Sequence, residues 1–176
     1  QQTLRNDLKI IIMSATLQSQ SLASLLSDAH LVNCPSKTFP VEDKYIPPPA
    51  GVHLLTHIVH TTMQAVLQTH GDILVFLPGM KEIRFVTEDL YAFCQKQKIE
   101  LCALHGELSL AEQERALRPL KHRKIVLATN IAETSLTIER VRVVIDSGQM
   151  RRVQYDPSSE MSQLITVPIS RASADQ

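Results

Sequence analysis

Between Lys124 and Gly148, two apolar β-branched runs, Ile125–Ala128 and Val141–Ile145, flank a segment dense in Thr, Ser, Asn and Glu, Thr129–Glu139. Hydroxyl and amide groups at the exit of a buried strand can donate hydrogen bonds to an oxyanion, such as a phosphate, lying over the strand's carboxyl end. The plainer alternative is strand, capped helical turn and strand, with the polar groups serving only the backbone. A second polar string, His105-Gly106-Glu107-Leu108-Ser109, follows the short apolar run Glu100–Leu104. Ser109 and Glu112 have capping-box spacing, which explains both without a ligand. The same capped helix start also favours a phosphate. Ser14-Ala15-Thr16 follow the apolar run Leu8–Met13, and a helix start explains three small residues there equally well. His53 and His57 stand four apart on one expected helix, a spacing that suits zinc. No Glu follows His53 as in HExxH and no cysteine clusters nearby, so they read as a solvated helix face and no metal is assigned.

The bulk numbers set limits on these readings. A chain of 176 residues with 44% hydrophobic content holds one ordinary core, with room for an appendage. Aromatic residues make up only 4% and Trp is absent, which argues against a base-stacking platform of aromatic side chains. Net charge is zero, so the chain as a whole is not a polybasic nucleic-acid binder. Residues 115–152 nevertheless carry nine Lys/Arg against three Asp/Glu, a local basic excess compatible with phosphate contacts or with a solvated charged face. Cys34, Cys94 and Cys102 are odd in number and sit in apolar segments, as reduced thiols of a cytoplasmic protein would. No run reaches membrane-spanning length. The chain starts at Gln1 without an initiator Met, and we expect it to be a piece of something larger.

The elements that must position these residues alternate. Val41–Ile46 reads as a strand, ended by Pro47-Pro48-Pro49, and Val52–Gln68 as an amphipathic helix. Asp72–Leu77 is a buried strand, Met80–Gln97 a helix, Glu100–Leu104 a strand, and a capped helix starts after Ser109. Ile125–Ala128 and Val141–Ile145 follow as strands. Val153–Tyr155 and Leu164–Val167 form a β-hairpin around Asp156-Pro157-Ser158-Ser159. Such alternation predicts a mostly parallel α/β sheet with helices on both faces. In it, the strings at Pro78, His105 and Thr129 leave strands directly and share one edge.

Thr129-Asn130-Ile131-Ala132-Glu133-Thr134-Ser135-Leu136-Thr137-Ile138 closely resembles motif V of the DEAH-box helicases, superfamily 2 RNA helicases. IIMSATL resembles their motif III, ILVFLPGMKEI motif IV, and HGELSLAEQ the segment called IVa, with Gln113 at the family's glutamine. ISRASADQ resembles the approach to motif VI, of which Gln176 is the first residue. The pairing of FLPG with SRASADQ looks most like the bacterial HrpB type. The resemblance implies a RecA-like (P-loop NTPase-type) fold. Residues 1–37 would end the first RecA-like domain, and residues 38–176 would be the second, cut at the start of motif VI.

The resemblance further implies ATP and Mg²⁺ in a cleft between the two domains, RNA lying across both, and 3′ to 5′ movement. Thr129, Asn130, His105, Gly106 and Ser109 would line the RNA track. Thr137 and Glu139 would face the nucleotide, and Ser14, Ala15 and Thr16 would couple the two. Two departures stand out: Gln149 occupies a position that is commonly aromatic, and Glu139 one that is commonly Asp. No GxxxxGK[ST] loop surrounds any of the five glycines and there is no Asp-Glu-x-His, so this stretch by itself is expected to lack ATPase activity. A non-catalytic, helicase-derived RNA- or protein-binding module is the alternative. A Rossmann-like enzyme ranks behind both, because Val41–Ile46 meets three prolines where a glycine-rich turn is required.

Overall fold

A computed structural model describes residues 11, 30, 32, 40–130, 138–156, 158 and 160–175. The expected elements at Leu8–Met13, Ser19–Ala29 and Leu31–Asn33 lie outside these residues, apart from the exposed Ile11 and Val32. The chain divides into two units, Gln1–Tyr45 with Gln176, and Ile46–Asp175. In the first unit, residues 40–45 carry no regular structure. The strand expected at Val41–Ile46 is therefore not formed. Val41 and Tyr45 are 82% and 93% exposed, and among the described residues no strand pairs with this run.

The second unit is built on four parallel strands: β1 (Asp72–Phe76), β2 (Glu100–Leu104), β3 (Lys124–Ala128) and β4 (Val141–Asp146). Their order across the sheet is β2-β3-β1-β4. β1 and β3 are central and covered on both faces, which is why they read as unbroken apolar runs. Period-two alternation sends Ile73, Val75, Ile125 and Leu127 to one face, and Leu74, Cys102, Leu104 and Val126 to the other.

Helices α1 (Leu54–Gln68) and α2 (Met80–Gln97) cover the first face. α2 offers Ile83, Val86, Leu90 and Cys94, spaced three and four apart as one helical stripe requires. It ends where Lys98 turns left-handed (φ 55°) and the Ile99 amide donates back to the Cys94 carbonyl at 2.9 Å. The short α3 (Leu110–Leu117) covers the second face through Ala116. Helices on both faces match the sequence expectation.

β5 (Gln149–Asp156) and β6 (Met161–Pro168) form a separate antiparallel hairpin, eight pairs long, followed by α4 (Arg171–Asp175). Its turn is held by Asp156 Oδ1, which accepts from the Ser158 amide at 2.9 Å and the Ser158 hydroxyl at 2.7 Å.

The amino edge of the sheet consumes much of the local basic excess. Arg123 donates to the Val66 carbonyl at 2.7 Å, to Thr69 Oγ1 at 3.1 Å and to the Gly71 carbonyl, closing the end of α1. Lys124 is fully buried, and its Nζ donates to the Ala116 and Arg118 carbonyls at 2.5 and 2.7 Å, closing the end of α3. Both cations complement helix carboxyl ends. Burial lowers the pKa of each. Arg140 donates to the Leu120 carbonyl at 2.6 Å. Buried Asp72 accepts the Lys124 amide at 3.0 Å, tying the starts of β1 and β3 together. These side chains hold the fold rather than offering charge to a ligand.

Burial raises the Cys94 thiol from 9.0 to about 11. The folded pKa lies above the unfolded one, so this contribution to stability is present below pH 9 and is lost as pH rises through 11. Denaturant unfolding should lose roughly 2–3 kcal/mol from this group across that interval. Cys94→Ala should flatten that part of the pH profile while lowering stability at neutral pH.

Candidate nucleic-acid interface

Because the four strands are parallel, all leave the sheet at one edge, and their exits are joined in a row. The Ser147 amide after β4 donates to Phe76 of β1 at 3.1 Å. The Leu77 amide after β1 donates to Ala128 of β3 at 2.8 Å, and the Thr129 amide after β3 donates to Leu104 of β2 at 3.1 Å. Each exit N–H is satisfied by the neighbouring strand in the same direction. These exit amides need nothing from side chains, although Ser147 and Asp146 serve the turn after β4. Thr129 is half-buried and Asn130 exposed, and among the described residues neither side chain has a hydrogen-bond partner.

Beside them, His105 is buried at 7% exposure. Its Nδ1 accepts from the Glu107 amide at 3.4 Å, which leaves Nε2 as the protonated nitrogen of the neutral ring. The His105 carbonyl closes the turn by accepting from Leu108 at 3.2 Å. Gly106 is exposed at the crest. Gln113 donates to the Leu108 carbonyl at 3.0 Å and braces the loop from the helix side.

Ser109 is fully engaged. Its hydroxyl donates to Glu112 Oε2 at 2.6 Å, its amide donates to the same oxygen at 2.9 Å, and its oxygen accepts the Glu112 amide at 3.4 Å. The reciprocal capping box is complete. The Ser109 hydroxyl and amide bonds hold the Glu112 carboxyl below the usual carboxylate range. The start of α3 thus already carries an anion of its own.

The sequence-predicted residues separate into groups. Thr129, Asn130, His105, Gly106 and Ser109 share the carboxyl edge. Glu139 is exposed immediately before β4, whose first residue Val141 pairs with Asp72, the first of β1. It therefore stands at the amino edge, roughly 16 Å away for a five-residue strand. Ser14, Ala15, Thr16 and Thr137 lie outside the described residues, as does Gln176. His53 caps α1 by accepting the Leu55 amide on Nδ1 at 3.3 Å, and His57 Nε2 donates to the Ile46 carbonyl at 3.0 Å. A groove of about 430 Å³, lined by Tyr91, Cys94, Cys102 and Arg115 among others, runs along the outer side of β2. Leu108 and Glu112 of the capped loop line its near end.

Sequence reasoning missed one group at this edge. Arg151 of β5 bonds to Glu82, in the first turn of α2, at 3.0 and 3.3 Å, with its guanidinium against Gly79. Only the glycine after Pro78 hinted at a close approach. The partner lies 69 positions further from Glu82, beyond local pattern.

The model of the helicase conserved C-terminal domain family matches residues 54–166. The chain belongs to that family. It is 44% identical over its whole length to the ATP-dependent RNA helicase HrpB of Escherichia coli, covering 22% of that protein. It is 36% identical to the human probable ATP-dependent RNA helicase DHX34, over 98% of this chain and 16% of that protein. A crystal structure of the E. coli DEAH/RHA helicase HrpB superposes with a TM-score of 0.88 at 43% identity, over 99% of this chain and 22% of that one. The helicase domain here thus spans about a fifth or less of the length of these relatives. Among the described residues no helix is long and apolar enough to cross a membrane.

Glu112 and Ser109 give this edge of the helicase domain its clearest test. Ser109→Ala should cost about 1 kcal/mol in unfolding free energy through the lost cap. Glu112→Gln keeps an acceptor for the cap but removes its charge, and should tighten single-stranded RNA binding by roughly twofold at low salt, the gain vanishing as salt screens it. Fluorescence anisotropy with a labelled oligonucleotide reads the second effect.

Proposed function

We propose that this chain is the second motor domain of an ATP-dependent RNA helicase, residues 38–176, preceded by the last part of the first motor domain. The observation that carries the reading is the exit row: Thr129 and Asn130 with unengaged polar side chains, next to His105 and Gly106, in a helicase C-terminal domain. The Thr129 hydroxyl and Asn130 amide donate to backbone phosphate oxygens of RNA, and Gly106 lets the strand come close. Such contacts give affinity without sequence information, which suits a motor that moves along any sequence. Ser109 supports the loop through its cap.

Glu139 faces the nucleotide from the opposite edge, and the helicase resemblance gives Thr137 the same role. ATP with Mg²⁺, held mainly by the first domain, would close the cleft on binding, and hydrolysis and release would open it. Among the described residues no three of His, Cys, Asp and Glu gather to hold an ion. A single exposed carboxylate, Glu139, does not make a magnesium site, and this chain's part is to grip RNA. Ser14, Ala15 and Thr16 couple the two ligands. The protein works in the cytoplasm, as expected of its reduced, buried Cys94 and Cys102.

The test is RNA-stimulated ATPase activity of a chain carrying both motor domains, with Thr129→Ala alongside. The parent should hydrolyse ATP faster with RNA, and the variant should lose most of that stimulation while keeping its basal rate. The 176-residue chain alone should bind RNA weakly, with salt sensitivity, and hydrolyse no ATP. A two-domain parent without hydrolysis overturns the motor reading and leaves the non-catalytic binding module in its place.

A further inference from the structure

The hairpin β5–β6 forms its own two-stranded sheet, separate from the four-stranded one. Much of it faces solvent: Val153, Tyr155, Met161 and Leu164 are all more than half exposed. A two-stranded ribbon with little core beneath it does not fix its own direction. Something must set the angle at which it leaves the sheet.

Arg151, the third residue of β5, reaches the main body at one defined place. Its guanidinium pairs with both carboxylate oxygens of Glu82, and the pair is only about a quarter exposed (26% and 21%). The same guanidinium lies on Gly79. A Cβ built there meets Cζ at 2.9 Å and Nε and Nη1 at 3.0 Å. Gly79 has φ −173°, extended backbone that any residue adopts, so its own conformation does not call for glycine. Nor is its side supplying a cap, since α2 begins without a side-chain cap bond. What the missing Cβ provides is room for Arg151.

Gly79 is two residues from Leu77, whose amide is a link of the exit row. The hairpin is therefore fastened to the same turn that the row fastens to the sheet.

We infer that Arg151, Glu82 and Gly79 form a latch that sets the hairpin's direction relative to the carboxyl edge, with Arg151 as a positioning residue for strand separation. That the hairpin leans against the nucleic acid and helps separate or guide its strands is what the helicase resemblance implies, and it rests on the motor reading above; the latch itself rests on the geometry just given. A movement of the Pro78–Gly79 turn, when the edge grips or releases a strand, is carried to the hairpin through this contact. Loss of the latch leaves gripping and hydrolysis intact and uncouples them from separation.

The test separates the two layers. On this chain, with Cys34→Ser, spin labels at Asp89→Cys on α2 and Ser158→Cys at the hairpin turn report hairpin direction by pulsed dipolar spectroscopy, without any need for activity. The parent should give one narrow distance. Arg151→Glu should broaden it, and so should Gly79→Ala, which displaces the free end of a flexible side chain and so leaves the fold intact. In an Arg151→Ala background, Gly79→Ala should add nothing. In the two-domain chain, the same single variants should lower RNA unwinding by about tenfold or more, the scale expected for misplacement of a working part. RNA-stimulated ATPase should stay within about twofold, which marks a coupling defect rather than lost binding.

Unchanged distances in Arg151→Glu and Gly79→Ala overturn the latch even where the motor is active. Broadened distances with unwinding and ATPase falling together overturn the coupling role. Absence of ATPase in the parent overturns the motor reading alone, and the distances still decide the latch.

Discussion

The parallel pairing of four strands is the constraint from which the rest follows. Parallel strands put every exit on one edge and every entry on the other, so the two edges of the sheet are free to differ in chemistry. They do differ. At the exits, the amides of Ser147, Leu77 and Thr129 are paired by neighbouring strands, and the Thr129 and Asn130 side chains stand beside carboxylates that are already engaged, Glu112 at the Ser109 cap and Asp146 with the Gly148 amide. At the entries, Asp72, Arg123, Lys124 and Arg140 spend their charge on backbone groups of the same chain. The cations close helix carboxyl ends and loops, where carbonyls have no partner within their own helix.

This division changes what the local basic excess means. Of the nine cations in residues 115–152, Arg115 pairs with Glu100, Arg118 with Glu114 and Arg151 with Glu82, while Arg123, Lys124 and Arg140 bind carbonyls. A charge tally cannot distinguish a cation aimed at solvent from one folded back on a helix end. These six cations are engaged within the chain and do not count as free charge for a ligand.

Local physics wrote most of the fold into the sequence. Met80–Gln97 and Glu100–Leu104 have the bounds expected of them, because apolar periodicity and a short buried run are both local signals. The capping box at Ser109 was legible for the same reason: its two members are three residues apart. Val41–Ile46 failed because strand propensity is only half of a strand, and among the described residues no ladder partner meets it. The hairpin was found but drawn short. Gln149-Met150-Arg151-Arg152 is polar on both sides of a ribbon whose faces are mostly wet, so no alternation marks where β5 begins. Among the candidate site residues, proximity of His105 to Thr129 followed from topology, whereas the commitment of Ser109 to Glu112 fixed which of two legible roles it takes in this state.

Arg151 shows where legibility ends. Its partner Glu82 reads as an ordinary first-turn acid that complements the α2 dipole, and Gly79 as an ordinary turn residue after proline. Each has a sufficient local explanation, so neither asks for a third. Only when β5 is laid over the start of α2 do the acid, the missing Cβ and the cation become one contact. A cation near a helix amino end is electrostatically misplaced unless an anion accompanies it. Glu82 supplies that anion in the same turn, and the pair is sheltered enough from water to hold one geometry rather than many. A ribbon without a core of its own gains direction most economically from one such directional contact at its root. The root of β5 is where the contact stands.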